Sequence, residues 1–347
     1  MSTSDSYKEG ASISNDDVDV CEVNDMLQNM SMVADNDTPV CANCGKEGEE
    51  VNNICNKCNQ VRYCNAVCKK VHKKKHKKEC DEHVRVAAEK HKEELRIAAE
   101  LHDIELFKQP PPTDEDCPIC FLRLPSLHTG YKYKTCCGKV ICSGCCYAPV
   151  YDNQGNEVDN EKCPFCRTPT PYTNEEMING YKKRMELDDA RAINNLGCYY
   201  RDGLFGLPQD YTKALELCHR AAKLGYAKAY TSIGFAYDDG KGVGIDKKKA
   251  IYYYELAAMG GEPGARHNLG RKEVGAGNAE RALKHWMIAV RGGYSDSLKG
   301  IQVLYEKGYA AKEDYTQALK AYQEYLGEIK SDQRDKIAAA DEEYRYY

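Results

Sequence analysis

Sixteen residues between Cys41 and Cys166 constrain this chain more than anything else in it: fifteen cysteines and one histidine, mostly in C-x-x-C pairs. They fall into two groups of eight, Cys41 to Cys80 and Cys117 to Cys166. Two residues between paired thiols let both reach one tetrahedral ion, and eight ligands make two four-coordinate zinc sites. Four zinc ions per chain are therefore expected, with a large carboxy-terminal remainder that must fold by other means. At 347 residues there is room for two or three domains.

Nineteen cysteines would suggest disulfides in a secreted protein. The amino terminus, MSTSDSYKEGASISNDD, lacks a basic segment followed by an apolar one, so no secretory signal is expected. No apolar stretch approaches the ~18 residues of a membrane span. A reducing cytoplasmic or nuclear location follows, where paired cysteines are metal ligands. A net charge of −5 and a pI near 6.0 argue against general nucleic-acid binding, though local basic patches remain, and with no apolar span no membrane partner is expected.

Residues 1–40 hold nine acidic residues and a single lysine, Lys8. This acidic tail buries too little apolar surface to offset chain entropy and is expected to be disordered. Val20, Val23, Leu27 and Met30 nevertheless step as on one helix face, which suits either a docking helix or a transiently helical tail.

The first ligand group, residues 41–80, reads Cys41-x2-Cys44, Cys55-x2-Cys58, Tyr63-Cys64-x3-Cys68 and His76-x3-Cys80. His76 and Cys80, four apart, share one face of an expected helix. The group resembles the MYND zinc finger, including the Tyr before the fifth cysteine. That resemblance implies a cross-brace: Cys41, Cys44, Cys64 and Cys68 at one zinc, Cys55, Cys58, His76 and Cys80 at the other. MYND domains typically grip proline-containing peptides with a Gln after the sixth cysteine and a Trp four residues later; here those positions are Lys69 and Lys73. Seven lysines crowd Lys69 to Lys78. The run suits nuclear import or contact with acidic surfaces; its simpler reading is the solvated face of the last finger helix.

Residues 81–109 form a helical linker rich in Ala, Glu, Lys and Leu, stopped by Pro110-Pro111-Pro112 in a stiff spacer over 110–116. The second ligand group, within residues 117–167, opens with Cys117-Pro-Ile-Cys120 and closes with Cys163-Pro-Phe-Cys166-Arg167. Between them lies Cys136-Cys137-Gly-Lys-Val-Ile-Cys142-Ser-Gly-Cys145. It resembles an all-cysteine RING-type finger. A common RING has a His at the level of Lys139, so adjacent Cys136 and Cys137 must supply ligands three and four. The resemblance implies Cys117, Cys120, Cys142 and Cys145 at one zinc, and Cys136, Cys137, Cys163 and Cys166 at the other. Cys146, Cys21, Cys198 and Cys218 are then spare.

RING fingers commonly act as ubiquitin ligases without a nucleophile, orienting a charged ubiquitin-conjugating enzyme. Ile119 matches the apolar residue that docks that enzyme, Pro164 its neighbour, and Arg167 the cationic residue bridging conjugating enzyme and ubiquitin. Pro149 falls where the family has a short helix, and Tyr147 stands loosely for that helix's aromatic contact.

Thr173 with Glu176 forms a capping box opening a connecting helix over 173–187. Residues 190–326 are a repeat. Leu196, Ile233, Leu269 and Ile301 head four copies 37, 36 and 32 residues apart, the third shortened in its loop. Each has a second segment starting at Asp210, Asp246, Asn278 or Asp314, good helix N-caps. Ala221-Ala222 before Gly225 and Ala257-Ala258 before Gly260 suit close contacts and C-caps. This resembles the Sel-one-like repeat, a relative of the tetratricopeptide repeat. Trp286 and Tyr252, Tyr253 and Tyr254 are expected to pack rather than bind ligands. Residues 327–347 are expected to form a capping helix and a frayed tail.

The expected fold is mainly α: two small cross-brace zinc fingers followed by an α/α solenoid of helix-turn-helix units. No constellation of catalytic side chains stands out. Two functions remain: a RING-type ubiquitin ligase selecting substrate through the repeats, or a non-catalytic adaptor binding proteins through fingers and repeats.

Overall fold

The computed structural model describes residues 39–108, 116–151, 153–158 and 161–347. The Val20–Met30 pattern, Cys21 and the Pro110–Pro112 spacer lie outside the described residues. The chain divides into two compact units, Met1–Asp103 and Ile104–Tyr347.

In the first unit, the two-residue strands β1 (Asn53–Ile54) and β2 (Arg62–Tyr63) pair antiparallel. The long helix α1 (Ala66–Phe107) begins here. Cys41, Val51 and Tyr63 form a core too small to fold a chain alone. The separate finger helix and linker helix expected from sequence are continuous, because no Gly or Pro interrupts residues 66–107. Beyond the finger, α1 is solvated and laced by Arg85 with Glu82 and Glu89, and by Arg96 with Glu93 and Glu100.

The second unit opens with the cysteine-rich segment 116–167. β3 (Tyr131–Lys134) and β4 (Lys139–Cys142) make a hairpin, followed by the single turn α2 (Ser143–Cys146). β5 (Val150–Tyr151) and β6 (Glu157–Val158) form a second, smaller ladder. The chain then enters α3 (Asn174–Glu186), where Thr173 and Glu176 cap each other as expected.

Four helix pairs follow: α4 (Ala190–Asp202) with α5 (Tyr211–Lys223), α6 (Ala227–Asp239) with α7 (Lys247–Met259), α8 (Pro263–Gly275) with α9 (Ala279–Arg291), and α10 (Ser295–Glu306) with α11 (Lys312–Ile329). Small residues set the spacing. Ala192, Ala229, Ala265 and Ser297 occupy one position of the first helices, and Ala214, Ala250, Ala282 and Ala318 one position of the second; all are buried. Four residues after that alanine each second helix carries a larger side chain, and in the first three pairs a first-helix glycine, Gly197, Gly234 or Gly270, makes room for it. A Cβ on Gly234 would lie 2.8 Å from the Tyr254 ring, and one on Gly270 would lie 2.3 Å from Trp286 Nε1. Trp286 and Tyr254 are buried and donate to packing as expected, whereas Tyr252 is exposed.

The caps differ in detail from the sequence expectation. Asp210 and Asp246 accept from the amides of Lys213 and Lys249. Asn278 makes no such bond, because the three-residue loop leaves its backbone at φ −92°, ψ 65°. Asp314 lies inside its helix and reaches back to the Ala311 amide at 2.9 Å. Gly261, not Gly260, takes the left-handed position at φ +88°.

The end of α1 enters this unit: Leu106 is buried among Ala250, Tyr254, Ala257 and Leu269. The fully buried Arg266 guanidinium donates to the Leu106 carbonyl, capping a helix terminus whose carbonyls lack intrahelical partners. Burial alone lowers the Arg266 pKa to about 10.

The carboxy terminus is not frayed. α12 (Asp332–Ala340) packs on α2, and Tyr346 is 1% exposed, its hydroxyl donating to Asp335. The aromatic residues of the Tyr-Arg-Tyr-Tyr end supply the apolar area that docks it: Tyr344 lies 4.4 Å from Tyr147, ring to ring.

Candidate metal centres

The sixteen ligands assemble into four sets: Cys41, Cys44, Cys64 and Cys68; Cys55, Cys58, His76 and Cys80; Cys117, Cys120, Cys142 and Cys145; Cys136, Cys137, Cys163 and Cys166. Within each set the ligand atoms lie within 4.8 Å of one another. Both groups are therefore interleaved, the first and third pairs against the second and fourth.

The spacing fits zinc. A tetrahedron with zinc–sulfur bonds of ~2.3 Å has edges of about 3.8 Å. Cys44 and Cys64 sulfurs are 3.5 Å apart, Cys55 and Cys80 3.8 Å, Cys120 and Cys142 3.8 Å, and Cys137 and Cys163 3.9 Å. The Nε2 of buried His76 points at Cys58 Sγ, 3.2 Å away. These separations are far beyond the ~2.05 Å of a disulfide. Zinc binding is what such sets do, and in model fingers each structural site contributes about 10–16 kcal/mol to folding.

One backbone device recurs at four of the five C-x-x-C pairs; the fifth, Cys142 to Cys145, runs into α2 instead. The residue after each of the four is left-handed: Gly45 at φ +72°, Asn59 at +55°, Phe121 at +57° and Arg167 at +63°. Its amide returns to the carbonyl of the first cysteine, at 2.9, 2.9, 2.8 and 2.9 Å respectively. The turn folds the chain back so that both thiols face one point. The C-x-x-C spacing announces the pair; the strained residue that follows has no signal of its own when it is Phe or Arg.

Crowding couples the thiols. Burial acts to raise the Cys41 pKa, but the amides of Cys64, Cys44 and Asn43 outweigh it and hold the thiol at about 6. Its neighbour Cys64, hydrogen-bonded to Cys44, is pushed up to about 12. Metal binding requires all four deprotonated, so loading releases protons. The spare thiols differ: burial raises Cys146 and Cys218 to about 12, leaving both inert.

Adjacent Cys136 and Cys137 reach one site because they sit at a hairpin tip. Lys134 pairs with Lys139, and the amides of Cys137 and Gly138 both donate to the Lys134 carbonyl. Gly138 closes the turn at φ +70°.

Lys69 and Lys73 separate in role. Lys69 is half-buried and ties Ile54 O and Asn56 Oδ1, bracing the loop of the second site, while Lys73 is exposed. On the second finger, Ile119 is 36% exposed, Arg167 is exposed and Pro164 is half-buried. Tyr147 follows α2 directly, and the helix stops before Pro149.

The finger is fixed at both ends of the repeat array. Tyr133 Oη donates to Asp189 at 2.6 Å; Asp189 also caps α4 and pairs with Arg184. At the other end the Ser126 amide donates to Tyr325 Oη at 2.7 Å. A cavity of about 570 Å³ lies between, lined by Pro125, His128, Tyr131, Arg191, Lys228 and Asp296 among others. Sequence reading missed one more residue: Arg334, whose guanidinium lies against the third set at Cys120 Sγ, 3.8 Å away.

Zinc-finger modules joined to a helical-repeat solenoid define a protein-interaction architecture. The MYND finger family model matches residues 41–80, and the Sel1 repeat model matches 190–226 and 227–262. An ERAD-associated E3 ubiquitin-protein ligase component, HRD3B of Arabidopsis thaliana, is 30% identical over 103 residues, covering 29% of this chain and 16% of the relative. Chitin synthase regulatory factor 3 of Schizosaccharomyces pombe is 37% identical over 90 residues, covering 26% and 10%. The E3 ubiquitin-protein ligase DA2 of Arabidopsis thaliana is 42% identical over 55 residues, covering 16% and 12%. The chain thus spans between 10% and 16% of the length of these relatives. Among solved structures, a Sel1 repeat protein from Oxalobacter formigenes is 29% identical, with a TM-score of 0.38, covering 48% of this chain and 65% of that one. Among the described residues no helix is long and apolar enough to cross a membrane.

Proposed function

We propose that the segment 117–167 is a RING-type finger that binds a ubiquitin-conjugating enzyme and that the chain acts as a zinc-dependent ubiquitin ligase, taking substrate through its repeats. The observation that carries this reading is that, within the interleaved cysteine pairs and just after the last, Ile119 and Arg167 stand exposed and Pro164 half-buried. Such a finger does its work by orientation: the apolar contact docks the conjugating enzyme and the guanidinium holds ubiquitin in its reactive pose. The similarity to HRD3B, a ubiquitin-ligase component, and to DA2, a ubiquitin ligase, lends support.

The test is discharge of ubiquitin from a panel of charged conjugating enzymes by the zinc-loaded chain. Acceleration by at least one enzyme, lost in Ile119→Ala and in Arg167→Gly, is the expected result. Glycine removes the guanidinium while relieving the left-handed backbone at φ +63°, so zinc content should be unchanged. No acceleration with any enzyme would favour the second reading, a non-catalytic adaptor. That reading has its own motivation: α2 is a single turn covered by α12, leaving Tyr147 against Tyr344 rather than on a longer helix.

A further inference from the structure

Among the described residues, the fully buried arginines are Arg266 and Arg334. Arg266 caps a helix. Arg334 needs another explanation. Its guanidinium donates to the carbonyls of Arg123 at 2.8 Å and Ile329 at 2.6 Å, and no carboxylate pairs with it among the described residues. A buried cation with only neutral acceptors is unfavourable, and chains retain one where an opposite charge lies close by.

The third cysteine set supplies that charge. Zinc held by four thiolates carries a formal charge of about −2. Arg334 Nη2 lies 3.8 Å from Cys120 Sγ, and Gln333 Oε1, one residue before, lies 3.8 Å from Cys145 Sγ. The approach is built in: Gly144 sits between Cys142 and Cys145, and a Cβ there would lie 2.9 Å from Arg334 Cγ and 3.0 Å from its backbone nitrogen. Only glycine at 144 lets α12 come this near. Ser331 Oγ caps α12 by accepting from the Arg334 amide at 3.2 Å, which fixes where the side chain starts.

We propose that Arg334 is the counter-ion of the Cys117, Cys120, Cys142 and Cys145 zinc site, so that the chain's own last helix completes a metal centre some 200 residues earlier in sequence. The guanidinium offsets the surplus thiolate charge and orients Cys120, as outer-shell partners of metal ligands do. The inference rests on zinc occupying this set and is independent of ligase activity. It makes the segment after α11 a positioning element of the finger rather than a tail.

Zinc transfer from the full-length protein to a chelating dye tests it, with helical circular dichroism followed in parallel. Arg334→Met should release one of the bound zinc ions about 10–100-fold faster than wild type. Arg334→Lys, which keeps the charge as a point cation, should recover part of the retention. Arg266→Met is the control: it removes the other buried guanidinium, whose hydrogen bond goes to Leu106 O and to no sulfur, and should leave zinc release unchanged. Should Arg334→Met fail to fold, Gly144→Ala replaces it; it keeps the guanidinium but holds α12 away, and should give the same single fast zinc. Wild-type release from Arg334→Met or its replacement would overturn the proposal. Equal acceleration by Arg266→Met would overturn it too, because the effect would then be general loosening.

Discussion

Asp189 is the residue on which the finger and the repeats meet. It accepts from Tyr133, from both Nε and Nη2 of Arg184, and from the Ala192 amide that opens α4. Burial acts to raise its pKa, but the Tyr133 and Arg184 hydrogen bonds outweigh it and hold the carboxyl below the ordinary value of 3.8. A depressed folded pKa means the stabilisation is fully present above that value and is lost as pH falls through the folded pKa. Asp189→Ala should therefore cost about 2–4 kcal/mol at neutral pH, from the lost cap and two stranded donors, as read from denaturant titration. The difference from wild type should shrink as acid unfolding is approached. Gly138→Ala acts on the same hub: its Cβ would lie 1.9 Å from Arg184 Nη2 at a backbone φ of +70°. A loss of about 2 kcal/mol is expected from strain and the displaced ion pair.

At the scale of elements, legibility followed the range of the interaction. The sixteen ligands could be read because ligand chemistry restricts spacing, while their division into four sets came from the resemblance to MYND and RING-type fingers; the repeat could be read because alanines and glycines recur in phase. Thr173 with Glu176 was legible for the same reason, since a capping box is closed within four residues. Asn278 stands at its N-cap without a side-chain bond, and Asp314 misled because loop length, not residue type, decides where a helix starts. Arg334, Tyr344 and Tyr346 carried no local signal; their partners lie far away in sequence, at Cys120, Tyr147 and Gly130. A charged stretch ending in tyrosines reads as a tail until the surface that receives it is known. Trp286 shows how firmly a knob seats: its ring meets both Gly270 and Gly300, and its indole donates to His267 O at 3.1 Å. Trp286→Ala should cost about 3–5 kcal/mol, and because α9 contacts both helices of the next pair, thermal unfolding of the solenoid should broaden.

At the scale of the molecule, metal and repeats share one unit. The second finger touches α3 and α4 at one end and α11 and α12 at the other, so its zinc sites and the solenoid should unfold together. Chelation should lower the melting temperature of the repeats, not only unfold the fingers, and a repeat transition indifferent to chelator would argue against that coupling. The fingers, and any recruitment by them, depend on sixteen ligands forming four metal sites. Native mass spectrometry of the full chain, purified without chelator, tests this directly. The expected mass excess is that of four zinc ions less the protons of fifteen thiols, with His76 a neutral ligand, falling by one zinc in Cys136→Ser or Cys120→Ser. An excess of two zinc ions or fewer, or one unchanged by either substitution, would contradict it.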